Sequence, residues 1–190
     1  MRKPCLFFAV IVFVGAVAQS ASDFGSGAHP LAQAAADRIR KAAGAEAALL
    51  PAGLLKASSG TDLASILQYP SDEIAVVALK GSELKRALER SLANYPQFNS
   101  GFLQISGITV TFSQSAPPDS RIIEVTVNDS PLSEARQYQV AMPANLANGS
   151  LGYFKIWKKS QIVKRTGVTL EQELKGKAGS VRPSRYIAKP

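Results

Sequence analysis

The chain predicts an α+β fold: one mixed domain of several strands with helices before and after them. Three observations lead there. Apolar residues recur at helical spacing over 31–43 and again over 82–92. Short strand-like runs mark 74–79, rich in β-branched residues, and recur between 103 and 142. No internal repeat and no heptad pattern interrupts this order.

Over 31–43, Leu31, Ala35, Ile39 and Ala42 form one stripe, leaving Asp37, Arg38, Arg40 and Lys41 for the outer face. Gly44 ends that helix, and 45–50 reads as a short buried strand. Thr61 can cap a brief helix running to Leu67, with Asp62 favourable beside its positive end. Ile74, Val76 and Val77 mark a strand over 74–79, punctuated by Gly81. Ser82 then caps a helix whose inward stripe is Leu84, Leu88 and Leu92, with Glu83, Lys85, Arg86, Glu89 and Arg90 mostly on its solvent side. Strands follow over 103–105, 108–112, 122–127 and 138–142. In the second of these, Ile108, Val110 and Phe112 alternate with Thr109, Thr111 and Ser113, the pattern of a sheet with one wet face. Pro117-Pro118-Asp119 and Asn128-Asp129-Ser130 supply turns.

The N-terminus divides the chain further. Arg2 and Lys3, the apolar run 6–17 and the small-residue site Ala16-Val17-Ala18 predict a signal peptide over 1–18. The run is short for a membrane span of about 20 residues. Residues 19–30 read as a flexible lead-in, and 31–190 as the domain. The one cysteine, Cys5, precedes the apolar run, so the chain after cleavage has neither a disulfide nor a thiol. An exported protein of that kind fits a bacterial periplasm or the surrounding medium.

Charge is unevenly placed. From Tyr153 onward there are ten Lys or Arg against two Glu, a net +8, whereas 19–152 carries ten basic and twelve acidic groups, a net −2. A solvated basic face explains this most simply; an anionic partner surface is the sharper reading. After Lys159 the basic residues have no aromatic neighbour until Tyr186, so no specific nucleic acid is expected.

Several chemistries lack their residues. His29 is the single histidine, so a metal site has no second His and no Cys to join it after cleavage, and a serine nucleophile has no further histidine to serve as its base. No Gly-x-Ser-x-Gly elbow is present. Asp62, Asp72 and Glu73 could form a carboxylate group, although helix-start and strand-edge roles account for them. Asn128-Asp129-Ser130 and Asn148-Gly149-Ser150 match the glycosylation pattern, which has meaning only in a eukaryotic secretory pathway. No catalytic residue, metal ligand or cofactor is predicted.

Four segments carry a resemblance. They are Leu79-Lys80-Gly81-Ser82-Glu83-Leu84, Gly101-Phe102-Leu103-Gln104-Ile105-Ser106-Gly107, Arg121-Ile122-Ile123-Glu124-Val125 and Leu146-Ala147-Asn148-Gly149. In order and separation they resemble the C-terminal, substrate-binding domain of secreted 5′-nucleotidases over roughly residues 33–187. In that family this domain holds the nucleoside part of a nucleotide, while a separate N-terminal domain holds two metals and performs hydrolysis.

The resemblance also implies where a ligand would sit, and there the chain departs from the pattern. The family's Asn-Gly-Gly-Gly-Ile-Arg segment reads Pro51-Ala52-Gly53-Leu54-Leu55-Lys56, so Lys56 replaces the planar arginine fork. Two phenylalanines that sandwich the base correspond to Ser71 and Asn145, with Tyr69 as a substitute ring if the loop shifts. The aspartate of a Gly-Gly-Asp-Gly turn becomes Leu151, while Gly101 keeps a ligand-side position or is a plain turn glycine. Base stacking contributes about 1–3 kcal/mol per ring, so the loss of both rings removes much of the affinity for a base. The candidate ligand-binding residues are Lys56, Tyr69, Gly101 and Asn145.

The expectation is an exported, stand-alone domain, non-catalytic by itself, with degenerate nucleotide-binding positions. Two alternatives stay open. The chain could be the substrate-binding subunit of a split hydrolase in nucleotide catabolism, completed by a separate metallophosphoesterase chain. It could instead bind a different small anionic ligand.

Overall fold

The computed structural model describes residues 24–181 and 184–190; the predicted signal peptide, Cys5 and the first residues of the lead-in lie outside them. Among the described residues, four helices and nine strands are arranged as two sheets with helices between and beside them, the α+β architecture expected. Helix α1 spans Pro30–Ala43, with Pro30 in its first turn and Gly44 closing it in the left-handed region at φ 67°. Ala32, Ala35, Ala36 and Ile39 are buried on its inner face.

Strand β1 (Ala47–Pro51) is wholly buried, as is the Ile74–Val77 stretch of β2 (Glu73–Lys80). Both lie inside a five-stranded sheet of order β3-β1-β7-β2-β8, where β3 is Leu103–Ser106, β7 is Gln137–Pro143 and β8 is Ile162–Thr169. The β1–β7 pairing is parallel and the other pairings are antiparallel. Helix α2 (Gly81–Leu92) follows β2 directly and buries Leu84, Leu88 and Leu92 completely. Each such leucine contributes about 1.5–3 kcal/mol on burial.

A second sheet has the order β6-β5-β4-β9, with β4 Ile108–Ser113, β5 Ile122–Val127, β6 Ser130–Pro131 and β9 Tyr186–Lys189. Along β4 the burial alternates strictly, Ile108, Val110 and Phe112 inward. Asn128 and Asp129 turn the β5–β6 hairpin at φ 47° and 64°, left-handed values that short Asx side chains tolerate. Gly107 is the pivot between the sheets: it adopts φ 70°, and a Cβ there would strike the Glu46 carbonyl, so only glycine lets the chain leave β3 for β4.

Three local expectations change. The turn at Leu63–Ile66 is a 3₁₀ helix, and its cap is Asp62, whose Oδ1 accepts from the Ala64 N–H at 2.8 Å, not Thr61. Ser82 lies inside α2; the cap there is made by Glu83, whose Oε2 accepts the Lys80 N–H at 2.8 Å. The lead-in, read as flexible, is packed from Phe24 onward. Gln104 on β3 donates to the carbonyls of Phe24 and Gly27, both at 2.8 Å, and accepts from the His29 N–H at 2.9 Å. His29 itself is buried as the cap residue of α1, its ring 4.4 Å from that of Phe24.

The basic C-terminal part also folds more regularly than expected. It forms β8, a short helix α4 (Leu170–Leu174) and β9, which pairs in parallel with β4. Thr169 caps α4 by accepting from the Gln172 N–H at 3.2 Å. Arg185 locks the segment before β9 by a bidentate pair with Asp37 on α1, 2.8 Å for each oxygen.

Candidate functional site

The positions implied by the resemblance lie on loops at one end of the five-stranded sheet. After β1 the chain turns through Ala52–Leu54, and the Gly53 N–H donates to the Ser100 carbonyl at 2.7 Å. A third loop follows the short helix α3 (Ala144–Ala147), and its Leu151 side chain packs over Gly53. A Cβ on Gly53 would approach Leu151 Cδ2 and the Ser100 carbonyl to 3.0 Å each, so the three loop crests touch.

This third loop is built on a buried aromatic pair. Tyr153 and Trp157 stack with centroids 4.8 Å apart and planes 16° from parallel. The Trp157 indole N–H donates to the Leu146 carbonyl at 3.2 Å, and the Tyr153 hydroxyl donates to the Gly101 carbonyl at 2.6 Å. Burial pushes the Tyr153 phenol well above its ordinary range, so it remains a donor at any physiological pH. Leu151 itself sits at φ 54°, with its carbonyl held by Arg90 Nη2 at 2.6 Å. Gly152, at φ 81°, has no room for a Cβ because the Arg90 guanidinium occupies that space.

The four predicted ligand residues are distributed over this framework. Gly101 is buried; its N–H donates to Asn99 Oδ1 at 2.8 Å, and its carbonyl receives Tyr153. Lys56 is exposed, with its main-chain N–H bonded to the Ile66 carbonyl at 2.8 Å and its ammonium in no ion pair among the described residues. Tyr69 is 48% exposed at the start of a turn closed by the Asp72 N–H on the Tyr69 carbonyl at 3.1 Å. Asn145 is exposed in the first turn of α3, and its N–H donates to Asp72 Oδ2 at 3.2 Å.

That contact joins the Tyr69–Ser71 turn to Asn145 through Asp72. No hydrogen bond or ion pair links any two of Lys56, Tyr69, Gly101 and Asn145 among the described residues. Partial burial raises the Asp72 carboxyl above its ordinary value, opposed by hydrogen bonds from Asn145 and from the Glu73 main chain, with a smaller upward push from the Glu73 charge. Asp62 stands elsewhere: its Oδ2 accepts from the Gly176 N–H at 2.9 Å, and this bond with the one from Ala64 lowers its carboxyl. The carboxylate group suggested by Asp62, Asp72 and Glu73 therefore does not assemble. Among the described residues no three His, Cys, Asp or Glu side chains converge to hold a metal ion.

Two contributors carry no clear signal in the sequence. The helical period puts Arg90 on the solvent side of α2, yet it lies against the third loop with its guanidinium carbon 5.4 Å from the Tyr153 ring centroid. Phe154, 64% exposed beside Gly149, is a ring that this loop presents to solvent.

Residues 14–159 match the sequence family described as 5'-nucleotidase, C-terminal domain. The human 5'-nucleotidase is 35% identical over 100 residues, which are 48% of this chain and 17% of that protein. A snake venom 5'-nucleotidase of Macrovipera lebetinus is 33% identical over 100 residues, 48% of this chain and 24% of that protein. The chain thus matches less than a quarter of the length of these relatives. Among solved structures, a 5'-nucleotidase precursor from Thermus thermophilus superposes with TM-score 0.73 at 24% identity, covering 92% of this chain and 38% of that one. A Staphylococcus aureus protein described as a putative 5'-nucleotidase gives TM-score 0.66 at 18% identity, covering 87% and 38%.

Proposed function

Because the chain belongs to the 5'-nucleotidase C-terminal domain family, we propose that it is an exported form of that domain which does not catalyse hydrolysis by itself. Its nucleotide-binding positions are degenerate. The observation that carries this reading is Leu151. An apolar side chain lies over Gly53, at the point where three loops meet, in place of the polar residue that the resemblance implies. Around it, Lys56 and Asn145 are exposed, with no hydrogen bond between them among the described residues.

Such a cleft offers a base neither of its two rings, and Leu151 supplies no side-chain acceptor. Tyr69 and Phe154 are exposed aromatics, but a ring free in water stacks a base only after its own ordering is offset. AMP should accordingly bind weakly or not at all. Calorimetric titration of the mature chain with AMP tests this, alongside a phosphate-release assay with divalent metal supplied. Tight AMP binding, or release at an enzyme-like rate, overturns the reading.

A further inference from the structure

A group of charged side chains lies on the α2 side of the third loop. A cavity of about 350 Å³ opens there, lined by Arg86, Glu89, Arg90, Asp119, Lys155 and Ile156. None of Lys56, Tyr69, Gly101 or Asn145 lines it. We propose that this cavity binds a small tetrahedral oxyanion, of the class of inorganic phosphate or the terminal group of a phosphate monoester.

The cations are placed by α2 and by the loop. Arg86 and Arg90 are four residues apart, hence on one face of the helix, and Lys155 reaches the same space from the end of the loop. Neither guanidinium is neutralised by a carboxylate. Arg86 Nη2 donates to the Lys155 carbonyl at 3.2 Å and Arg90 Nη2 to the Leu151 carbonyl at 2.6 Å, and neither arginine forms an ion pair among the described residues. The Nε of Arg90 is buried with no acceptor. A buried donor without a partner is uncommon in folded proteins and marks a place where an acceptor belongs.

The two acids on the cavity wall differ in effect. Glu89 is 8% exposed, and both its oxygens are engaged by main chain: Oε2 by the Arg121 N–H at 3.0 Å and Oε1 by the Ile122 N–H at 2.9 Å. It reduces the positive field but engages neither guanidinium group among the described residues. Asp119 is exposed on the rim, at φ 64° in the β4–β5 turn. Three cations therefore face two carboxylates, one of them already tied down. Planar guanidinium groups match the oxygens of phosphate bidentately, which lysine-only patches do not.

The flat groove along β8 is a useful contrast. Lys159, Lys164 and Arg165 line a surface of about 310 Å³, but Arg165 is paired with Glu73 at 3.4 Å, and Lys164 Nζ donates to the Ala43 carbonyl at 3.3 Å. Those cations are spread along an edge and partly engaged, so they do not close around one anion.

The test is a titration of the full chain with inorganic phosphate at low ionic strength, followed by NMR, with phenyl phosphate as a parallel arm. Saturable shifts centred on Arg86, Arg90 and Lys155 are expected, and the tighter of the two arms identifies the free ion or the monoester as the better ligand. Arg86→Gln combined with Lys155→Gln, both at exposed positions, should weaken binding about tenfold, as the loss of charge-assisted contacts does. Asp119→Asn should tighten it, whereas Lys164→Gln with Arg165→Gln should leave it unchanged. The proposal fails if no saturable binding occurs at millimolar phosphate. It fails equally if the β8 pair of substitutions weakens binding as much as the Arg86 and Lys155 pair, or if Asp119→Asn has no effect.

Discussion

Leu151 shows how a single residue can carry a local conflict. At φ 54° and ψ 25° it occupies the left-handed region, which costs an L-residue with a full side chain about 1–2 kcal/mol. The conformation is held because the Leu151 carbonyl receives Arg90 and its side chain covers Gly53. Asp72 is a second residue under tension. Its folded-state carboxyl is raised above the ordinary value of 3.8, chiefly by burial, so the folded chain holds that proton more tightly than the unfolded chain does. The stabilising effect of this proton is complete below pH 3.8 and is lost as pH rises through the folded-state value. Asp72→Asn retains an acceptor for the Asn145 N–H and removes the charge. Its stability relative to the natural chain should therefore increase as pH rises from 3.8 through that window and then level off. Chemical denaturation at a series of pH values measures this, and a flat difference, or one of opposite sign, rejects it. The departures at Lys56, Ser71, Asn145 and Leu151 are what the resemblance implies, since it assigns motif positions to them. Which of them would touch was not legible, since Asp72 bridging to Asn145 and Leu151 covering Gly53 depend on how loops distant in sequence meet.

At the scale of elements, α2 and β4 were legible because each has a strong period, three leucines four apart and strict alternation, whereas in α1 Ala35 and Ile39 of the expected stripe are buried but Ala42 is exposed and 32–36 are buried all round. The caps were less so, since Thr61 and Ser82 compete with neighbours whose side chains reach the same N–H groups, and the backbone geometry chose Asp62 and Glu83. Strands β8 and β9 were hidden by their cations, although Val163, Thr166, Val168 and Thr169 are β-formers and Thr169 with Gln172 has the spacing of a capping box. The lead-in illustrates the opposite error. Small polar residues suggested a loose segment, but Gln104, buried in β3, binds it at three points. Gln104→Ala would leave the Phe24 and Gly27 carbonyls and the His29 N–H without this partner, each such group costing up to about 1–3 kcal/mol where water cannot replace it. We expect limited proteolysis to cut before Pro30 much faster in this variant while the remaining domain stays intact. Unchanged protection of 24–29 would show that the packing of Phe24 and His29 alone secures the segment.

At the scale of the molecule, the charge asymmetry acquires a location. The residues before Tyr153 that follow the predicted signal carry a net −2, and the remainder a net +8, with Lys164 and Arg165 on β8, the outer strand of the five-stranded sheet, and Lys158 and Lys159 just before it. An edge strand exposes unpaired main chain and invites pairing with a second copy; lysines on that edge oppose it by like-charge repulsion. Lys158, Lys159, Lys164 and Arg165 therefore serve solubility first. The same residues create an extended positive field, suited to a broad anionic surface and ill suited to enclosing one ion. Vesicles containing anionic lipid should bind the chain at low salt and release it as salt rises, because exposed charges are screened beyond about 8 Å at physiological ionic strength. Replacing all four cations by Gln should abolish that binding with little change in thermal stability, since each such surface substitution shifts stability by only about 0.5 kcal/mol. Co-sedimentation across a salt series separates this broad field from the enclosed site on α2. The four-residue variant should lose vesicles and keep saturable phosphate binding, and the Arg86 and Lys155 variant should do the reverse. Vesicle binding that is insensitive to salt, or absent at the lowest salt, would leave β8 with its protective role alone.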